Sequence, residues 1–193
     1  MSSHDPLAVA LLVATALERT GVAYLIGGSV ASSLHGMARS SQDIDFAVDL
    51  REKDVPRLVS ELGGDFDVDE EALASAARMR GSWNIFHVPT MTKIDLFMRR
   101  VDSFEDSEFA RRVRFAPRPG VELWLKSAED IVLRKLLWYR AGGEVSQRQW
   151  ADVVEVLQVQ AGRLDDGYLS DWASRLGIGD LLFRARADAA PRS

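Results

Sequence analysis

Cysteine is absent from all 193 residues. That absence excludes disulfides, thiolate metal sites and cysteine nucleophiles, and it fits a reducing cytoplasm. Long apolar runs are missing as well. The richest one, Pro6 to Leu17, closes at Glu18-Arg19 and is too short to cross a bilayer. No basic segment precedes it, so it lacks the pattern of a secretory signal. A cytoplasmic chain without membrane contact is expected. Positive charge is not in excess: 24 Lys and Arg stand against 29 Asp and Glu, a formal net charge of −5. Such a balance argues against general affinity for the nucleic-acid backbone and still allows a local basic surface. Histidine is scarce, with three in the chain, and His35 and His87 have no metal-ligand spacing. Internal repeats are lacking, and only the ends, Met1 to Asp5 and Ala189 to Ser193, are low in complexity.

What is present is an ordinary globular composition, 47% hydrophobic and 27% charged, with enough apolar material for a sizeable core. Pro6 to Thr20 reads as a helix closed by Gly21. Val22 to Ile26 is a short buried strand, Gly27-Gly28-Ser29 a turn, and Val30 to Met37 a helix with Ser29 at its N-cap. Ile44 to Leu50 is a second strand. Asp54 to Leu62, capped by Asp54, and Glu70 to Arg80 are helices. Trp83 to Val88 and Lys93 to Met98 are two strands joined by a turn at Pro89-Thr90, Phe104 to Phe115 fits either state, and Val121 to Leu125 is one more strand. From Ser127 onward the periodicity is helical, with capping boxes at Ser127 to Asp130 and Ser146 to Gln149. The class expected is therefore α+β. It has a mixed core over residues 1–126 and a helical region over residues 127–193 packed on it.

Three pieces carry chemistry. Asp43-Ile44-Asp45-Phe46 sets two carboxylates on one face of a strand, roughly 7 Å apart, with Ile44 and Phe46 on the other. Like charges so placed repel unless a cation lies between them, and hard oxygen donors suit Mg²⁺ or Mn²⁺. D-x-D is common, and from this piece alone a solvated strand edge is the preferred reading. Upstream, strand, Gly27-Gly28-Ser29 and helix make a phosphate cradle, in which glycine admits a close approach and the helix N-terminus offers free N–H groups. A plain strand-to-helix turn has the same outline. Downstream, Asp95 stands within the apolar run Lys93-Ile94-Asp95-Leu96-Phe97. A buried carboxylate there is costly and calls for a purpose or a hydrogen-bond partner.

The order Gly28-Ser29, Asp43-x-Asp45, Asp95 resembles the nucleotidyltransferase superfamily of the polymerase-β type. The stretch Arg39-Ser40-Ser41-Gln42-Asp43-Ile44-Asp45 is similar to the R-x-[ST]-x-D-x-D form of the minimal bacterial members. The resemblance implies a short mixed sheet backed by helices, followed by a helical bundle. It also implies Mg²⁺ or Mn²⁺ held by Asp43, Asp45 and Asp95, and a nucleoside triphosphate such as ATP as substrate. Gly27, Gly28, Ser29, Arg39 and Ser41 would bind the nucleotide.

The C-terminal half is similar to the AbiEii-like nucleotidyltransferases, some of them toxins of toxin–antitoxin pairs, through Lys135 and Arg148…Asp152. On a helical wheel Lys135 falls beside Ile131, Val132 and Tyr139, within an apolar arc. Such a lysine either snorkels to solvent or points at an anion, and Lys135 is a candidate for offsetting transition-state charge. The resemblance implies tRNA as a candidate acceptor and an antitoxin as a candidate partner. The arginines from Arg99 to Arg118 are the sequence's own hint of a phosphate-binding surface, diluted by Asp102, Glu105, Asp106 and Glu108. A silent binding module and an aminoglycoside-type small-molecule transferase are the competing readings.

Overall fold

The computed structural model describes residues 6–35, 43–118 and 121–190. They fall into two compact units. The first holds residues 6–30 and 43–125 apart from 119–120, and the second holds 31–35 and 126–190. The chain is α+β.

In the first unit, helix α1 (Pro6–Thr20) buries Val9, Ala10, Val13, Ala14, Ala16 and Leu17 along one stripe. Gly21, at φ 78°, ends it with paired bonds from Gly21 N to Glu18 O and Val22 N to Leu17 O. Strand β1 (Tyr24–Ile26) follows. Helix α2 (Gly28–His35) begins in this unit, and strand β2 (Asp43–Val48) leads on to helix α3 (Val55–Leu62). Strand β3 (Phe66–Asp67), helix α4 (Glu70–Met79), strands β4 (Ser82–His87) and β5 (Thr92–Met98), helix α5 (Ser103–Ala110) and strands β6 (Val113–Arg118) and β7 (Val121–Leu125) complete it. The seven strands form one mixed sheet in the order β3-β4-β5-β2-β1-β7-β6.

The sheet is sided. Along β2, Ile44, Phe46 and Val48 are buried while Asp43, Asp45 and Ala47 are not. Along β5, Ile94, Leu96 and Met98 are buried while Lys93, Asp95 and Phe97 are not. The buried set joins residues of α1, α3 and α4 in one core. Each fully buried Ile, Leu or Phe contributes about 1.5–3 kcal/mol. A slip of one residue would exchange that set for the aspartates, so the core fixes the register that presents the acids.

Several boundaries differ from expectation. Helix α2 starts at Gly28, so Ser29 lies in its first turn and is not the cap. Asp54 precedes α3 without a side-chain capping bond. The ambiguous stretch resolves into α5, capped by Asp102 through Phe104 N and Glu105 N, and then β6. Strand β3, two residues long, carries no pattern a sequence could show.

The second unit is helical, with α6 (Ala128–Ala141), α7 (Gln147–Val159), α8 (Asp166–Arg175) and α9 (Gly179–Ala189) joining the continuation of α2. Ser127 caps α6 as its capping box predicts, accepting from Asp130 N and donating to Asp130 Oδ2, and Ser146 caps α7 through Gln149 N. Leu133, Leu136, Val153, Val156, Leu169, Leu181 and Ala185 are buried along these helices. Tyr139 packs on Trp150 at 5.1 Å between ring centroids.

Candidate active site

Strands β2 and β5 run parallel and pair Asp43 with Lys93, Ile44 with Ile94, and Asp45 with Asp95. Asp45 and Asp95 are therefore direct neighbours across the ladder, about 4.8 Å apart at the backbone. Asp43 stands two residues along on the same face. The antiparallel pairing of β4 with β5 sets Asn84 opposite Asp95 and Phe86 opposite Lys93. One open sheet face thus carries three carboxylates, an ammonium and a carboxamide side by side.

Gly28 closes this array on the β1 side. Gly27 N donates to Asp45 O at 2.9 Å, which brings the start of α2 against the middle of β2. A Cβ built on Gly28 would lie 1.6 Å from Asp45 Oδ2, and Gly28 holds φ 55°. Both the space and the backbone conformation demand glycine there. The Asp45 carboxylate consequently lies at the N-terminal turn of a helix, where backbone N–H groups and positive potential favour anions.

Lys93 was not among the expected site residues. Its Nζ lies 2.9 Å from Asp95 Oδ1 and 3.0 Å from Oδ2. The hydrogen bond to Asp95 chiefly, and the charges of Asp95, Asp43 and Asp45 in addition, hold the ammonium above its ordinary value of 10.5 against an opposing effect of burial. The alternation that groups Asp43 with Asp45 also places Lys93 beside Asp95, so this neighbour was legible. Asn84 was not, because only the pairing register brings it in.

Hard oxygen donors on one rigid face are the right kind of group for Mg²⁺ or Mn²⁺, and glycine at position 28 keeps the Asp45 carboxylate clear of a side chain from α2. Among the described residues, however, no three carboxylate or imidazole groups already converge as a finished metal cage. The aspartates fit an ion in type and register, with Lys93 bonded to one of them.

In the second unit, Lys135 Nζ donates to Asp152 Oδ2 at 2.6 Å, and the side chains are 6% and 5% exposed. Lys135 does not snorkel to solvent. Arg148 is exposed on the first turn of α7. His35 Nε2–H donates to Lys126 O at 2.8 Å, and burial is the main cause that lowers its pKa from 6.5. Arg39 and Ser41 lie outside the described residues.

Three of the arginines that the sequence offers as a phosphate-binding surface are engaged within the chain. Arg99 is bound to Asp49 and Asp106 and lies over Phe109. Arg112 and Arg114 lie over Trp124, and Arg114 pairs with Glu122. Strand β6, which follows Arg112, is the sheet edge three strands from β2.

No family model and no curated protein matches the chain. Solved structures do. The antibiotic-resistance factor ANT(2'')-Ia is 17% identical with a TM-score of 0.50, covering 96% of this chain and 96% of its own. An antigenic nucleotidyltransferase-like protein from Paracoccidioides brasiliensis is 14% identical with a TM-score of 0.52, covering 96% of this chain and 94% of its own. The chain has the fold of these proteins over nearly its whole length. No helix among the described residues is long and apolar enough to cross a membrane.

Proposed function

We propose that the protein is a nucleotidyltransferase that moves a nucleoside monophosphate from a nucleoside triphosphate to an acceptor hydroxyl. The observation that carries this reading is the parallel register of Asp45 with Asp95, beside a Gly28 that the Asp45 carboxylate approaches too closely for any other residue. The shared fold supports it.

Asp43, Asp45 and Asp95 would hold Mg²⁺ or Mn²⁺, whose charge screens the triphosphate and lowers the cost of bringing an oxygen nucleophile to it. Gly28 and Ser29 would hold the β- and γ-phosphates through backbone N–H groups and the Ser29 hydroxyl at the start of α2, while Gly27, whose N–H is bonded to Asp45 O, shapes the turn that brings them there. The acceptor oxygen attacks the α-phosphorus, the bond to the β-phosphate oxygen breaks, and pyrophosphate leaves. Asp95 takes the acceptor proton. The resemblance assigns Arg39 and Ser41 to the nucleotide and makes Lys135, which is bonded to Asp152, the candidate for offsetting transition-state charge.

The acceptor favoured is a small polyhydroxyl compound of the aminoglycoside type. The fold shared with the antibiotic-resistance factor ANT(2'')-Ia supports this choice, and Arg99, Arg112 and Arg114 are engaged within the chain. Labelled NTPs with Mg²⁺ would be offered in parallel with aminoglycosides, total RNA and protein. Label on an aminoglycoside is expected. Label on tRNA would restore the toxin-like reading and its antitoxin partner. Asp45→Asn should abolish transfer while leaving the metal-free fold as stable or more so, because one of three like charges is removed. Full turnover by that variant would refute the site.

A further inference from the structure

We infer that Lys93 is a resident counter-cation of the aspartate face, displaced when metal and nucleotide bind together, so that it couples the two. The inference rests on the proposed transferase reading and adds a residue to it.

The geometry is specific. Lys93 sits opposite Asp43 across the ladder and two residues before Asp95 on the same face, and its ammonium bonds both Asp95 oxygens. Those oxygens are the ones a metal ion would take. In the metal-free protein Lys93 balances the Asp95 charge. A divalent ion seeking the same oxygens therefore meets a positive charge at hydrogen-bond distance.

The side chain can also leave. It is 35% exposed, and lysine is a compact point charge on a flexible stem. Once Asp95 turns to an ion, the ammonium needs another anionic partner. A bound triphosphate supplies one on the same face. Metal alone works against Lys93, and metal with nucleotide does not. Such a coupling is reciprocal: the nucleotide strengthens metal binding by the same factor as the metal strengthens nucleotide binding.

A lysine that serves only to position Asp95 would behave in the opposite way, since its removal would disorder a ligand and weaken metal binding. Free Mn²⁺ can be measured by electron paramagnetic resonance during titration of the full chain, with Mn²⁺ alone and with Mn²⁺ plus a non-hydrolysable ATP analogue. The variants are Lys93→Met and Lys93→Gln, with Lys93→Arg as the charge-retaining control. Removing the charge is expected to tighten binding of Mn²⁺ alone about tenfold and to reduce the metal–nucleotide coupling by a similar factor. It should also lower the metal-free melting temperature, while Lys93→Arg stays near the wild type. Unchanged or weaker Mn²⁺ binding in both neutral variants, with the wild type binding Mn²⁺ and nucleotide, would overturn the role of Lys93 alone. A wild type that binds no Mn²⁺ even with nucleotide would overturn the transferase reading and this inference together.

Discussion

Two lysine–aspartate pairs in the molecule look alike by distance and differ in what surrounds them. Lys93 and Asp95 lie on an open sheet face, 35% and 15% exposed, with Asp43 and Asp45 beside them. Lys135 and Asp152 are almost wholly buried between α6 and α7. The first pair belongs to a shared cluster of charges, where solvent and neighbouring acids offer the ammonium other partners. The second is closed, because a buried charge that loses its partner has no water to turn to. The difference teaches that a short ion-pair distance says little by itself. Neighbouring charge and solvent access decide whether a pair can exchange partners.

Breaking the closed pair should have the largest effect on stability. Lys135→Met leaves Asp152 buried without its ammonium, and a loss of about 3–5 kcal/mol is expected in chemical denaturation. The double variant Lys135→Met/Asp152→Leu should recover much of it. A full double-mutant cycle reads the coupling directly, and a single variant as stable as the wild type would contradict the burial argument. If Lys135 also serves the nucleotide, the recovered double variant will fold and still transfer poorly.

On the open face, the sharper test is crowding. Gly28→Ala forces a methyl group against Asp45 Oδ2 and a left-handed backbone on alanine. A stability loss of about 1–3 kcal/mol is expected. Transfer should fall far more than that loss explains, since Asp45 must move. Ser29→Ala leaves the close approach at Gly28 untouched and should cost less. A Gly28→Ala protein of undiminished activity would mean that Asp45 does not act from this position.

The smallest effect concerns pH and the balance of the second unit. His35 is half-buried in the fold, and its pKa is lowered from 6.5. The unfolded chain then binds the extra proton first as pH falls. Stability from this group is complete above pH 6.5 and declines as pH drops below it toward the lowered folded value. His35→Gln can still donate to Lys126 O and should flatten that decline in melts taken from neutral to mildly acidic pH. An identical pH profile in both proteins would remove His35 from the balance.

The legible part of this protein was whatever local periodicity controls. Alternation along β2 and β5 puts Asp43 with Asp45 and Lys93 with Asp95 on one face, and the capping serines Ser127 and Ser146 open α6 and α7 where the pattern says. Glycine at position 28, between a strand and a helix, was readable as a close approach, although not what it approaches. Pairing in space was not readable. Parallel strands β2 and β5 are separated in sequence by helices α3 and α4 and strands β3 and β4, and nothing local states that Asp45 meets Asp95 or that Asn84 joins them. Nor could the sequence tell that Lys135 turns inward to Asp152, or that Arg99, Arg112 and Arg114 are already engaged. Those outcomes depend on which surfaces pack together, because long-range register and burial are settled by the shared core and not by any residue's own neighbours.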